Sequence, residues 1–435
     1  MNAGEPPERA DRIRAALAVL AATGAVLLVV GLAASVVGWL PLPPALFSGG
    51  GAEAADREPG GGTLPARIGA PSLWTADGER DPIGAASVLY TSNTWFFDGS
   101  DWFTGLVGKR SDTYRVLRRS GPAGMSSVLS PAGDRLATTE GVADLATGRF
   151  TSYPAELNEL EIFPQAWSPD GRTLAILTDP EDVALRLLDV TTGEHRVVHP
   201  LSALSALHGW TAAFSPDGSR LAFQLEDRIR VVQADGGGEP VDYEIPEGAR
   251  LAGKGAWQPD GRGLLVVAGE ECDCGAYPIR WTVATVPLGA GPAPSWTVDG
   301  AFAVRVLGWW AGKPVAAEYS AVDGTTPALF TDEQSQWGLT TQDDIQSVRL
   351  VELGTGRVLL EPGGEAESID VADSVLAAAA TRAGDPVLID ADFPLEAPLV
   401  LLGVSTSALI VLRAGEWARR RRAGRPVDEA PVPER

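Results

Sequence analysis

The chain runs to 435 residues and carries a formal net charge of −22, enough length for one large domain or two ordinary ones. Residues 1–14 net zero and residues 413–435 net +3, so the residues between them carry −25. A surface that acidic repels phosphate backbones and anionic lipid headgroups, which excludes a nucleic-acid partner and a body lying flat on a membrane.

Along the chain, Arg9, Arg12 and Arg14 precede an uncharged run at residues 15–40. As a helix that run reaches roughly 39 Å against a hydrocarbon core of ~30 Å. It predicts a transmembrane helix, with residues 1–14 held in the cytoplasm by the flanking arginines. The alternative is a cleaved signal peptide, for which "AEA" at residues 52–54 offers small residues, but the run far exceeds the ~7–15 residues of a signal core. Either way the body is expected outside the cytoplasm. Residues 41–64 turn rich in Gly, Glu and Pro and read as a flexible linker.

One ten-residue phrase then recurs. It reads "AWSPDGRTLA" at 166–175, "AFSPDGSRLA" at 213–222 and "AWQPDGRGLL" at 256–265, with a weaker copy, "VLSPAGDRLA", at 128–137. The prolines Pro131, Pro169, Pro216 and Pro259 stand 38, 47 and 43 residues apart, the period of a four-stranded propeller blade. Proline presets φ, and Asp-Gly meets the remaining backbone demands of a turn. Pro131 with Gly133, Pro169 with Asp170 and Gly171, Pro216 with Asp217 and Gly218, and Pro259 with Asp260 and Gly261 are therefore read as structural turns. Trp167, Phe214 and Trp257, just before the turns, are expected to pack between blades.

A second phrase follows three of the copies and recurs once more later: "VADLATGRFTSY" from Val142, "LRLLDVTTGEHRVV" from Leu185, "IRVVQADGGGEPVDY" from Ile229 and "SVRLVELGTGRVLLEP" from Ser347. Each reads as strand, glycine turn, strand, making the first phrase the inner hairpin of a blade and the second the outer one. "GLVGKRSDTYRVL" from Gly105 and "WTVATVPLGAGPAPSWTV" from Trp281 read as outer hairpins, "VLGWWAGKPVAAEY" from Val306 and "SIDVADSVLAAAA" from Ser368 as inner ones. The count is six blades and a partial seventh, completed by an N-terminal strand near residues 64–74. An all-β propeller of seven four-stranded blades is expected, six being the alternative, with no substantial helix between residues 120 and 300.

The "SPDG" phrase resembles the repeats of TolB-like and WD-repeat-like β-propellers of exported bacterial proteins, over residues 65–392. The resemblance implies a propeller and leaves function open, because that family holds scaffolds, periplasmic partners of envelope complexes, and propellers fused to peptidases.

Catalytic signatures do not emerge. No Ser stands in a G-x-S-x-G elbow, and H-E-x-x-H and Walker patterns are missing from the sequence. The histidines are His195, His199 and His208. "EHRVVHP" is strand-like, and four residues along a strand is roughly 13 Å, too far for His195 and His199 to share one metal. Cys272 and Cys274 flank Asp273; a local disulfide stapling a loop is favoured, with an inert dithiol, redox chemistry and pairing between chains as alternatives. Two soft ligands are too few for a metal site, and no further Cys or His stands nearby in sequence. Acids cluster at Glu156, Glu159 and Glu161, at Asp179, Glu181 and Asp182, and at Asp332, Glu333, Asp343 and Asp344, without an EF-hand spacing. Trp95, Phe96, Phe97, Trp102 and Phe103 form a dense aromatic stretch, read as first-blade packing or as an exposed contact loop.

The chain closes with "APLVLLGVSTSALIVL" at 397–412, uncharged, followed by Arg413, Trp417 and Arg419 to Arg422. A Trp belt and an Arg cluster mark a membrane exit to the cytoplasm, so residues 393–412 are expected to form a second transmembrane helix and 413–435 a basic cytoplasmic tail. The functional expectation is a non-enzymatic binding or scaffold module of the cell envelope, on the extracytoplasmic side of the cell membrane, with an envelope protein as partner and no cofactor or metal. The alternative is a propeller enzyme acting on a glycan or lactone.

Overall fold

The structure, a computed structural model, describes residues 61–69, 75–93, 102–117, 127–157, 160–179, 183–201, 212–225, 227–274, 277–289, 292–321, 345–363, 366–384 and 413. The chain divides into two units, Pro44–Ala391 and Met1–Pro43 with Asp392–Arg435; the described residues lie in the first, save Arg413.

Two short strands come first, β1 (Leu64–Pro65) and β2 (Arg67–Gly69). Blade one takes β3 (Ala86–Asn93), β4 (Trp102–Gly108) and β5 (Tyr114–Leu117). Blade two is β6 (Val128–Leu129), β7 (Arg135–Ala137), β8 (Gly141–Asp144) and β9 (Arg149–Ser152). Blade three is β10 (Glu161–Trp167), β11 (Thr173–Asp179), β12 (Ala184–Asp189) and β13 (His195–Pro200). Blade four is β14 (Ala212–Phe214), β15 (Arg220–Gln224), β16 (Arg228–Gln233) and β17 (Val241–Glu244). Blade five is β18 (Arg250–Leu251), β19 (Gly263–Glu271), β20 (Ile279–Pro287) and β21 (Ser295–Asp299). Blade six is β22 (Ala303–Trp310), β23 (Lys313–Ala321), β24 (Ile345–Glu352) and β25 (Arg357–Gly363). The chain then returns to blade one as β26 (Ala366–Val371), antiparallel to β3, and finishes with helix α1 (Asp373–Ala378) and β27 (Thr381–Arg382).

The propeller therefore has six blades, not seven. What reads as a partial seventh blade is the missing inner strand of blade one: "SIDV" runs along β3, with Ile369 opposite Tyr90 and Val371 opposite Val88. The expected inner hairpin there does not form, because Ala372 leads into α1 instead. Its alanine-rich run favours helix, Val375 and Leu376 are buried, and Ala379 ends the helix in the left-handed conformation. The N-terminal strand also goes elsewhere. β2 adds a fifth strand to the outer edge of blade six, parallel to β25, with Ile68 opposite Pro362. β1 pairs in parallel with β27, Leu64 opposite Thr381.

Burial falls from the centre outward. In blade four β14 is wholly buried, β16 alternates, and β17 is mostly exposed. Inner strands thus read as continuous apolar runs and outer ones as alternating or polar, because only the inner strands are covered on both faces. The core lies between blades: one cluster joins Leu129, Trp167, Leu307, Val371 and Leu376, and a second joins Ile229, Trp257, Val266 and Val306.

Between residues 120 and 300 the only helical element among the described residues is a single turn at Ala155–Leu157. No helix of the described residues is long and apolar enough to cross a membrane; the expected spans at 15–40 and 393–412 lie outside those residues.

Candidate functional site

The repeat turns are built from one hydrogen-bond scheme. In blade three the amide of Gly171 donates to the Ser168 carbonyl at 2.8 Å, and Gly171 has φ +68°. Pro169 and Asp170 occupy the centre of this turn. The Ser168 hydroxyl donates to Asp170 Oδ1 at 2.5 Å and accepts from the Thr173 amide at 2.9 Å. The Arg172 amide also donates to Asp170 Oδ1, at 3.1 Å. Blade four repeats the scheme with Pro216, Asp217 and Gly218: Ser215 Oγ lies 2.5 Å from Asp217 Oδ1, and the Ser219 amide 3.1 Å from it. The Ser215 hydroxyl, with help from Ser219, holds the Asp217 carboxyl down to about 2. In blade five Gln258 replaces the serine, and Asp260, between Pro259 and Gly261, accepts from the Arg262 amide at 3.0 Å. Blade two has Ala132 after Pro131, and its acid has moved past Gly133: Asp134 accepts from the Ser130 hydroxyl at 2.8 Å.

The same phrase also fastens neighbouring blades. Trp167 of blade three donates its indole N–H to the Val128 carbonyl of blade two at 3.0 Å. Trp257 of blade five does so to Ala213 of blade four at 2.9 Å. In the reverse direction Arg135 of blade two reaches the Gly171 carbonyl at 3.2 Å, and Arg220 of blade four reaches Gly261 at 3.0 Å. Arg220 also stacks over Trp257, 4.5 Å from its ring centroid. Between blades three and four Phe214 has no N–H to give, and Thr173 stands where arginine stands in the other two.

At the centre of the ring an ionic cluster joins three blades. Lys254, following β18, places Nζ 2.7 Å from Asp370 Oδ1 on β26 and 3.3 Å from Asp373 of α1. It also donates to the Val371 carbonyl at 2.8 Å. Asp370 accepts from the amides of Leu129 in blade two and Val371, both at 2.8 Å. Lys254 and Asp370 are 6% and 2% exposed, so this is a buried pair. Burial pushes the Asp370 carboxyl up to about 6, against the pull of Lys254 and the Leu129 amide. Burial opposes the Lys254 charge as well, but Asp370 and Asp373 outweigh it and raise its pKa. Nothing in the repeat pattern marked Lys254, Asp370 or Asp373; the signal available was a rare lysine and a short "DVAD" run outside any copy of the phrase.

The other singled-out residues are dispersed. His195 and His199 lie on β13, the outermost strand of blade three, opposite Leu188 and Leu185. Cys272 and Cys274 are joined as a disulfide in the loop between β19 and β20, with Cα atoms 5.3 Å apart. Glu156 sits in the Ala155–Leu157 turn, and Glu161 begins β10, exposed. His208, Glu159, Glu181, Asp182, Asp332, Glu333, Asp343, Asp344, Trp95, Phe96 and Phe97 lie outside the described residues.

No family model matches the chain, and no curated protein matches it. Solved structures do. TolB from Acinetobacter baumannii is similar at 14% identity over 66% of this chain and 66% of its own, with a TM-score of 0.42. An oligogalacturonate lyase from Vibrio parahaemolyticus is similar at 12% identity over 65% of this chain and 82% of its own, with a TM-score of 0.38. A dihydro-heme d1 dehydrogenase is similar at 14% identity over 68% of this chain and 55% of its own, with a TM-score of 0.35. Likeness at that level says nothing about activity.

Proposed function

We propose that the chain is a membrane-anchored, extracytoplasmic propeller that binds a protein partner in the cell envelope and catalyses no reaction. The observation that carries this reading is where the recurrent and buried polar groups go. Asp170, Asp217 and Asp260 are engaged by their own turns, Arg135 and Arg220 by the next blade, and Lys254 and Asp370 by each other. These groups hold shape. With −25 on residues 15–412, the favoured partner surface is basic or neutral.

Two anchors suit the way the ring begins and ends. Arg382 Nη1 hydrogen-bonds the Thr63 carbonyl, and the Leu64 amide donates to Ala380 at 2.8 Å. The described ends of the ring, at residues 63–64 and 380–382, therefore lie side by side.

The binding role is tested by capture from solubilised membranes with the full chain as bait. A single partner held in stoichiometric amount, and released by salt as an acidic surface requires, supports it. Turnover of a glycan or lactone by the purified chain overturns it. The topology is tested by a C-terminal tag on intact cells: digestion of the tag by external protease, while a cytoplasmic control survives, overturns the second anchor.

A further inference from the structure

We propose that Cys272, Cys274 and Asp299 form a redox-gated site for one thiophilic divalent cation of the zinc class. The site is complete only when the disulfide is open. Sequence spacing offers two soft thiolate ligands, and the fold supplies a third ligand of another kind, the Asp299 carboxylate. Asp299 ends β21, in register opposite Arg280 of β20, and this brings its carboxylate to the loop that carries both cysteines.

The geometry matches the ion. One ligand atom from each residue lies within 4.8 Å of the other two. Cys274 Sγ is 3.6 Å from Asp299 Oδ1. For Zn–S near 2.3 Å and Zn–O near 2.0 Å, a tetrahedral ion holds its sulfur and oxygen ligands about 3.5 Å apart, and two sulfurs about 3.8 Å apart. The Cys274 sulfur–oxygen distance is thus already that of a site; the two sulfurs need to separate, with Cys272 Sγ remaining within reach of Asp299, from which it lies no more than 4.8 Å. Cα atoms 5.3 Å apart on an exposed loop permit that movement. Both cysteines are partly exposed, so reductant and metal reach them. Glu270, Glu271 and Asp273 add negative charge beside the loop without entering the triad. The competitor for Asp299 is Arg280, whose Nε lies 2.8 Å from Oδ1. That pair is exposed and screened by solvent, so its attraction is weak, and a divalent cation competes with Arg280 for the carboxylate.

The chemistry balances. A dithiol reductant gives two electrons and two protons to the Cys272–Cys274 bond and leaves as its own disulfide. The two thiols then release their protons to solvent as the cation binds, and water fills the fourth position. Exchange with a small-molecule disulfide, which takes up two electrons and two protons and leaves as its dithiol, re-forms the Cys272–Cys274 bond and expels the ion.

The test uses the full chain in detergent, reduced with a dithiol, desalted without oxygen and titrated with Co²⁺. The expected result is one equivalent bound, with thiolate-to-cobalt absorption in the near ultraviolet. Asp299→Ala weakens binding by about 10–100-fold, and Asp299→His, which returns a ligand, restores it. Cys274→Ser removes the band. Absence of the band at millimolar Co²⁺, the same affinity in the unreduced chain, or a dissociation constant unmoved by Asp299→Ala overturns the proposal. None of these outcomes bears on partner binding, so the two readings stand or fall separately.

Discussion

Two glycines with nearly the same backbone do different work. Gly171 has φ +68°, and a Cβ there would meet nothing within 4 Å. Gly133 has φ +77°, but a Cβ there would lie 2.1 Å from the Ala86 carbonyl oxygen of blade one. Gly171→Ala is therefore expected to cost only the left-handed backbone penalty, about 1–2 kcal/mol. Gly133→Ala adds a clash that blade one must move to relieve, and is expected to cost at least twice as much; denaturant unfolding of the two variants decides it. The buried Asp370 makes a prediction with a sign. Its carboxyl is raised from 3.8 to about 6 in the fold, so the fold binds its proton more tightly than the unfolded chain does. Its favourable contribution is fully present below pH ~4 and lost as pH rises through ~6, by on the order of 3 kcal/mol. Asp370→Asn removes that dependence. The variant should gain stability relative to the parent between pH 4 and pH 7, and a relative loss over that window would contradict the assignment.

Blades are joined by side chains that the sequence shows only in part. The turns were legible because proline, aspartate and glycine act within four residues, and a local device leaves a local trace. The packing role of Trp167 and Trp257 was legible from their size and place. Arg135 and Arg220 were not, because their partners are carbonyls 36 and 41 residues away, and a backbone acceptor has no sequence signature. Trp257→Phe keeps the apolar bulk and removes the N–H to Ala213 together with much of the stacking under Arg220. The expected loss is about 1–3 kcal/mol. The matching change Phe214→Trp should fail to return as much, since Thr173, not an arginine, stands in blade three at the position that Arg220 holds in blade four. Thermal unfolding of both variants measures the difference, and equal effects would mean that the arginine stack contributes nothing.

At the scale of the whole ring, the misread blade count has a physical cause. β26 lies some 275 residues from its partner β3, and counting phrases in chain order cannot reveal that the last inner strand belongs to the first blade. A closed ring needs such a return, because an open one leaves the inner edge of blade one uncovered. Beyond the β26–β3 ladder, one side chain fastens the seam. Arg382 gathers Asp112 at 2.7 Å, the Gly108 carbonyl at 3.0 Å, the Ser111 carbonyl at 2.9 Å and the Thr63 hydroxyl at 3.0 Å. One planar, multiply donating head thus ties the last strand to the first and to the β4–β5 turn. Arg382→Ala is expected to cost about 2–4 kcal/mol, since several acceptors lose a charged donor at once. Arg382→Lys should recover less than half of it, because a point charge cannot serve separated acceptors. The loss should begin at the seam: limited proteolysis of Arg382→Ala should cut near residues 61–69 before it cuts any blade. First cleavage within blades two to five, with the seam intact, would show that closure rests instead on the Lys254–Asp370 pair and the packing of Val375 and Leu376.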